Sequence, residues 1–192
     1  MSLADVTREW LLAKGADTIG HAGGSLYDHL CRVHDRLADL GGDADVRLAA
    51  LTHAAYGTDG FQVTLLDVAD RAELRALIGA HAEEQVYRYG GCDRGRTWRA
   101  LGETGLIWSR FTGHVESPST ADLRAFADLS IANELDVAER DPAIAEKHWG
   151  YFRSVFAGWA EIASAAVIAD AETVLGYQSP ARRARHGRPS GS

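Results

Sequence analysis

Signals that start and stop helices recur along this chain and constrain its fold more than any other feature. Ser25 and Asp28 form a capping box, and the segment that follows carries apolar residues at i, i+4 and i+7 spacing up to the Gly41-Gly42 pair. Asp43 is placed to cap the next segment, which has its own apolar positions. Because such amphipathic, capped segments fill most of the chain, the sequence predicts an all-α protein.

The same signals set the expected boundaries of the elements. Helices are expected over 7–14, 26–40, 44–56, 70–89 and 120–140, with a last long, aromatic-rich segment from 142 onward. The run FQVTLLDV has strand-like composition, but it leads directly into a helix start at Asp70, so we interpret it as a loop and an early turn. Residues 92–118 mix Gly, Thr, Trp and Arg and are expected to be irregular.

Length and composition fit one compact helical domain. The chain has 192 residues, of which 46% are hydrophobic and 24% charged, and this balance is typical of a globular protein with a sizeable core. The domain is expected to span residues 1–178. Residues 179–192 are basic and poor in apolar side chains, which predicts a disordered C-terminal tail.

Charge and cysteine content exclude several functional classes. With 27 acidic and 20 basic residues the formal charge is −7, which argues against nucleic acid and anionic membranes as partners. Two isolated cysteines predict neither a disulfide framework nor a thiolate zinc site. No apolar run approaches the length of about 20 residues that a membrane span needs. Since the N-terminal segment reads as an amphipathic helix rather than a signal peptide, we expect a cytoplasmic protein.

Three polar residues on separate predicted helices suggest a metal site. His29 lies near the edge of the apolar stripe of its helix, His53 lies on the next helix, and Asp128 sits much later between apolar neighbours. Imidazole and carboxylate ligands held by rigid helices suit Mn, Fe or Zn. The alternative is that all three are partly buried polar residues with ordinary hydrogen-bond partners.

These residues carry a resemblance to a known family. The segments DHLCRVHDRLADLG and VRLAALTHAAYGT resemble the opening of the HD superfamily of metal-dependent phosphohydrolases. His29 with Val33 matches the family's H-x3-V element, His53 matches its second histidine, and Asp128 matches its late lone aspartate. The resemblance covers about residues 20–136, and it implies an HD-like helical fold in which His29, His53 and Asp128 bind a divalent metal.

Two details of the sequence indicate which members of the HD superfamily the chain is most similar to. The spacing of 24 residues between the histidines, and the surroundings of Asp128 with Asn133 nearby, are most similar to the alarmone-hydrolase branch. The H-x-G-G opening at His21 and the H-x-x-Y-G-T run at His53 are most similar to small HD-like domains of uncharacterised function.

The chain departs from the family at Ala54, where the family has an aspartate ligand directly after the second histidine. His21 could compensate as a fourth ligand or a catalytic group, and Asp59 could act as a ligand or general base. The resemblance then implies a mononuclear or compensated site, with Fe or Mn favoured over Zn. A metal-free pocket, in which the histidines remain as hydrogen-bonding or acid-base groups, is the alternative.

An arginine-rich segment supplies candidate substrate-binding residues. Arg88 and Arg94 flank a Gly-Gly pair, and guanidinium groups bind phosphate or carboxylate in a bidentate manner. With Tyr56 from the loop after His53, they are expected to hold a small anionic substrate. The alternative is a solvated charged loop. The aromatic residues after position 148 favour core packing, with a homodimer face as the second interpretation.

Two functional hypotheses follow. The first is an HD-like metalloenzyme acting on a small anionic molecule, either a hydrolase that attacks a phosphoester through metal-bound water or an oxygenase similar to the iron-dependent inositol oxygenase. The second is a degenerate HD fold without metal, which either binds a small molecule or a partner, or performs acid-base isomerase or cyclase chemistry.

Overall fold

The computed structural model describes residues 1–178, so the predicted disordered tail lies outside the described residues. The described part is mainly helical, as the sequence predicts. Its α-helices are α1 (Leu3–Ala13), α2 (Leu26–Asp39), α3 (Ala44–Thr52), α4 (Arg71–Ile78), α5 (Ala80–Gly91), α6 (Arg94–Thr97), α7 (Leu101–Thr104), α8 (Thr120–Arg140), α9 (Pro142–Gly158) and α10 (Ala165–Leu175).

Two small antiparallel hairpins complete the described part. Strands β1 (Gly20–His21) and β2 (Gly24–Ser25) pair just before α2, and β3 (Ile107–Trp108) pairs with β4 (Val115–Glu116). Across residues 1–178, no helix is both long and apolar enough to cross a membrane.

The predicted caps explain where the site-bearing helices begin. The Ser25 hydroxyl accepts a hydrogen bond from the Asp28 N–H, and the Asp28 carboxylate accepts one from the Ser25 N–H, so the expected capping box is confirmed at α2. Asp43 caps α3 by accepting from the Val46 N–H, also as expected. These caps fix the start of both helices and therefore the angular position of the histidines that they carry.

Several elements differ from the expectation. The first helix begins at Leu3 rather than at residue 7, α3 ends at Thr52 rather than at 56, and the last long segment is divided into α9 and α10. The helix expected over 70–89 is divided into α4 and α5 at Gly79, whose φ of 90° and ψ of 157° interrupt the helical hydrogen bonds. The segment 92–118 is not irregular but contains α6, α7 and the β3–β4 hairpin. FQVTLLDV forms no β-strand, as expected, and a 3-10 turn at Val68–Asp70 begins at its last residue.

The core lies around α8, which packs against α2, α3, α5, α9 and α10. Every residue from 126 to 136 is buried. The aromatic side chains of Phe152, Phe156 and Trp159 are also buried in this core, which is the packing that the sequence favours for them. A homodimer through this segment stays a prediction.

Candidate functional site

Two histidines meet at the interface of α2 and α3. His29 lies on α2 and His53 is the residue that ends α3, and both are buried. Their Nε2 atoms lie 3.3 Å apart. The apolar stripe of α2 and the Leu-Ala-Ala-Leu face of α3 both turn inward, which brings the two imidazoles together as the sequence predicts.

The other nitrogen of each ring is held by a fixed acceptor. His29 Nδ1 lies 2.7 Å from an Asp136 carboxylate oxygen, and His53 Nδ1 lies 2.8 Å from the Ala50 carbonyl oxygen. A carbonyl oxygen only accepts, so Nδ1 of His53 carries the proton and Nε2 of the neutral ring is an acceptor. Burial and the neighbouring His29 lower the pKa of His53 to about 3, which keeps this ring neutral at pH 7.

Asp136 is the ionised carboxylate of the site. Burial raises its pKa, but the hydrogen bonds from His29 and Arg32 outweigh burial and lower the pKa to about 2. Arg32 donates from Nε and Nη2 to the two oxygens at 2.7 and 2.9 Å. Asp136 therefore accepts a hydrogen bond from His29 Nδ1 and orients the ring.

A third hydrogen-bond acceptor, from the side chain of Asn133, lies beside the Nε2 atom of His29. Asn133 Oδ1 lies 3.0 Å from His29 Nε2, while Asn133 Nδ2 donates to Glu134 at 2.8 Å. That donation fixes which end of the amide points at the histidine. We call His29 Nε2, His53 Nε2 and Asn133 Oδ1 the acceptor centre. One proton on His29 Nε2, or one bound cation, is needed to satisfy its three atoms.

His21 joins the acceptor centre to a cavity. Its ring stacks on His29 with centroids 4.1 Å apart, and its Nδ1 is buried without a hydrogen-bond partner in the part of the chain that the structure describes. Burial and the positive charge around His29 lower the pKa of His21 to about 4. His21 and Asn133 both line a cavity of about 520 Å³ between α8, α9, β1 and the loop at 58–61.

The cavity wall is aromatic with a few charged groups. Its aromatic side chains are His21, Phe61, Trp98, His148, Tyr151 and Phe152, and its charged side chains are Arg94, Glu134 and Asp141. Arg94 donates to Glu134 at 2.7 Å and to the Tyr89 hydroxyl at 2.8 Å. Burial alone lowers the pKa of Arg94, but Tyr89 and Glu134 raise it overall, so the guanidinium stays charged and paired.

The expectation that Asp128 points at the histidines is wrong. Asp128 is buried, but its carboxylate accepts hydrogen bonds from the backbone N–H and the hydroxyl of Ser164, the residue that precedes α10. Asp136 takes the place beside His29 instead. Eight residues on a helix correspond to a rotation of about 80°, so the two carboxylates of α8 leave the helix in different directions.

Three other expected site residues lie away from the cavity wall. Asp59 is exposed, and its carboxylate accepts from the Arg94 backbone N–H. The Tyr56 hydroxyl donates to buried Glu83, and Arg88 bonds Gln85 and Glu116. Each side chain is bonded to a partner outside the cavity wall or to backbone, so Arg94 is the one predicted substrate-binding residue that the structure brings to the cavity.

The donor set does not fit the metal centre of the HD family. Among residues 1–178, no group of three or more His, Cys, Asp or Glu side chains is arranged to hold a metal ion. Ala54 packs in an apolar cluster with Leu11, Leu26, Leu30 and Leu51, so the place of the family's aspartate faces hydrocarbon. The two acids near the histidines, Asp136 and Glu134, are paired with arginines. Two imidazoles and one amide oxygen remain, without the carboxylate that Mn and Fe favour.

Sequence reasoning missed part of this site. Asn133 and Asp136 are three residues apart and therefore share one face of α8, a spacing that could have indicated a joint role. Arg32 lies one turn after Asp28 on α2, and nothing in its local sequence marks it as the partner of a residue 104 positions away.

The comparisons with known proteins cover the first half of the site. A family model described as a domain of unknown function (DUF6817) matches residues 10–94, somewhat less than half of the chain. That segment includes α2 and α3 with His29 and His53, and it ends before α8. No curated protein and no solved structure gives a match.

Proposed function

We propose that this protein has an HD-like helical fold whose cavity binds a small organic molecule, and that the family's metal centre has been replaced by the acceptor centre. The observation that carries the proposal is the position of His21 and Asn133, which belong to the cavity wall and contact His29 at the same time. A cavity of about 520 Å³ lies within the range of small-molecule sites.

The charges around the histidines support a metal-free centre. Arg32 binds both oxygens of Asp136, and Arg94 binds Glu134, so each nearby carboxylate is already neutralised by a guanidinium. A divalent ion at the acceptor centre would be opposed by both arginines and would have no carboxylate among its ligands.

The burial of the histidines favours binding over acid-base catalysis. A general base must come within hydrogen-bond reach of the proton that it removes. His29 and His53 lie behind the wall, whereas His21 reaches the cavity with a pKa of about 4 and is a weak base at pH 7. The stacked and hydrogen-bonded histidines therefore serve to hold the wall in shape.

The test is fragment screening by two-dimensional amide NMR, combined with metal analysis of protein expressed in medium supplemented with Mn and Fe. We expect bound fragments to shift amide signals of the cavity wall and the metal content to be far below one ion per chain. Val137→Phe places a larger side chain on the cavity wall and should abolish these shifts. Val115→Phe adds the same bulk at an exposed position of β4 and serves as the matched control.

Two results would overturn the proposal. One is stoichiometric Mn or Fe that is lost in a His53→Ala variant, since that would place a metal at the acceptor centre. The other is fragment binding that Val137→Phe leaves unchanged, since the ligand would then occupy another part of the surface.

A further inference from the structure

We infer that the cavity selects an arylalkylamine, an aromatic ring that carries an aliphatic amine, bound as an ammonium cation, rather than the small anion that the arginine-rich sequence suggests. This inference rests on the proposed function and names the ligand class of the same cavity. It depends on three properties of the wall: its aromatic faces, its unused carboxylate oxygens and its lack of an unpaired guanidinium.

The aromatic faces supply the contact for a flat apolar body with a positive group. Phe61 comes from the loop after α3, Trp98 follows α6, and Tyr151 and Phe152 lie on α9, so rings line the cavity from several sides. The faces of aromatic rings attract organic cations and also bury the apolar part of such a ligand. Arg99 lies over Tyr151 at 4.9 Å and Arg94 over Trp98 at 4.8 Å, whereas no arginine of the described residues lies over Phe61 or Phe152.

Two carboxylates of the cavity wall each have one oxygen that is available to accept a hydrogen bond from a ligand. Both hydrogen bonds to Glu134, from Arg94 and Asn133, reach Oε1. Both hydrogen bonds to Asp141, from the Ala143 and Ile144 N–H groups, reach Oδ1. The second oxygen of each group receives no hydrogen bond in the described part of the chain, and it can accept from an ammonium group.

The charged groups of the cavity wall disfavour an anionic ligand. Arg94 is the arginine of the wall, and it is already held by Glu134 and Tyr89. Arg94 supplies one cation against two anions, Glu134 and Asp141, so these three side chains together give the wall a net charge of −1. A phosphate or carboxylate ligand would therefore have to displace the Glu134 contact and approach Asp141, and both steps cost free energy.

Two polar atoms of wall residues have no hydrogen-bond partner among residues 1–178 and define further features of the ligand. They are Nδ1 of His21 and the indole Nε1 of Trp98, which is almost fully buried. The Trp98 N–H is a donor, so a small adjustment of the wall would pair it with an oxygen of the ligand. An arylalkylamine that also carries a hydroxyl group meets all of these requirements.

Three probes that share a para-hydroxyphenylethyl group test the inference: tyramine, para-ethylphenol and para-hydroxyphenylpropionate, which are cationic, neutral and anionic at pH 7. Affinities are measured by amide NMR titration of the full chain. We expect tyramine to bind at least about tenfold more tightly than the anion, since one hydrogen bond between charged groups contributes about this factor.

Asp141→Asn is the matched variant, because asparagine retains the cap of α9 while it removes the charge. It should lower tyramine affinity about tenfold and leave para-ethylphenol binding unchanged. Asp39→Asn removes an exposed charge elsewhere and should change neither affinity. Equal or tighter binding of the anion, or no binding of tyramine at millimolar concentration, would overturn the ligand class. The metal content and the fragment screen with Val137→Phe report on the proposed function separately.

Discussion

Two buried polar clusters in this protein differ in how fully their hydrogen-bonding groups are satisfied. In the first, Glu83 is completely buried and accepts five hydrogen bonds, from the Tyr56 hydroxyl and from Arg71 and Arg75. We call these four residues the Glu83 cluster. In the second, the acceptor centre at His29 has three acceptor atoms that face one another and lies next to a cavity.

The difference separates a structural role from a functional one. A carboxylate whose oxygens are saturated by protein donors has nothing left to offer a ligand, so the Glu83 cluster stabilises the packing of α4 and α5. The acceptor centre instead lies beside an open cavity, and His21 and Asn133, which contact His29, also form part of the cavity wall. Both clusters contain residues that the sequence analysis assigned to substrate or metal binding. The clusters differ in whether their hydrogen-bond acceptors are fully paired with protein donors.

The largest expected effect is that of Glu83→Gln. The substitution leaves two arginines facing a neutral amide and should lower the free energy of unfolding by about 3 kcal/mol, while fragment binding to the cavity is unchanged in the folded protein. Glu84→Gln is the control, because Glu84 is 40% exposed and its pairs with Arg71 and Arg75 should contribute less than about 1 kcal/mol. Urea denaturation measures both. Equal decreases in the free energy of unfolding for the two variants would mean that the hydrogen bonds to Glu83 are not as described.

Ala54→Asp should have the next largest effect. The new carboxylate would lie among the leucines of α1, α2 and α3, and its burial without a partner should cost about 2 kcal/mol or more. Ala121→Asp, at an exposed position near the start of α8, should leave stability unchanged. A variant that is instead stabilised by added Mn would show that residue 54 can reach the histidines, and the comparison between the clusters would fail.

Acid should lower the free energy of unfolding through the protonation of His53. Its pKa is lowered from 6.5 to about 3 in the folded protein, so the unfolded chain binds a proton first as the pH falls. The stabilisation is present above pH 6.5 and is lost as the pH falls from there toward 3. Between pH 7 and 5 the free energy of unfolding should fall by about 2 kcal/mol. His53→Gln should remove that part of the pH dependence, whereas His114→Gln at an exposed position should retain it. An unchanged profile in His53→Gln would contradict the prediction.

Asp128→Asn should have the smallest effect of the four. Asparagine can still accept one hydrogen bond from Ser164 at the start of α10, so the loss should be about 1 kcal/mol, measured by urea denaturation. Ser164→Ala removes the hydroxyl partner and should give a similar loss. A loss of cavity binding in Asp128→Asn would show that this carboxylate acts at the histidines after all.

The sequence predicts local elements better than the faces of buried helices. The caps at Ser25 and Asp43 fix α2 and α3, and the apolar stripes then bring His29 and His53 together. On α8 the same reasoning fails, because all residues from 126 to 136 are buried and no polar face distinguishes Asp128 from Asp136. Which acid meets the histidines depends on how α8 is rotated against α2, and that is set by contacts between residues more than a hundred positions apart.

Nitrogen-15 NMR of the histidine side chains tests the central claim most directly. The account predicts that the His53 ring is neutral with its proton on Nδ1, and that Asp136→Asn shifts the His29 nitrogen signals whereas Asp128→Asn leaves them in place. Addition of Zn²⁺ should leave the Nε2 signals of both rings unchanged. Shifts of the His29 signals in Asp128→Asn, or a stoichiometric Zn²⁺-induced shift at both Nε2 atoms, would contradict it.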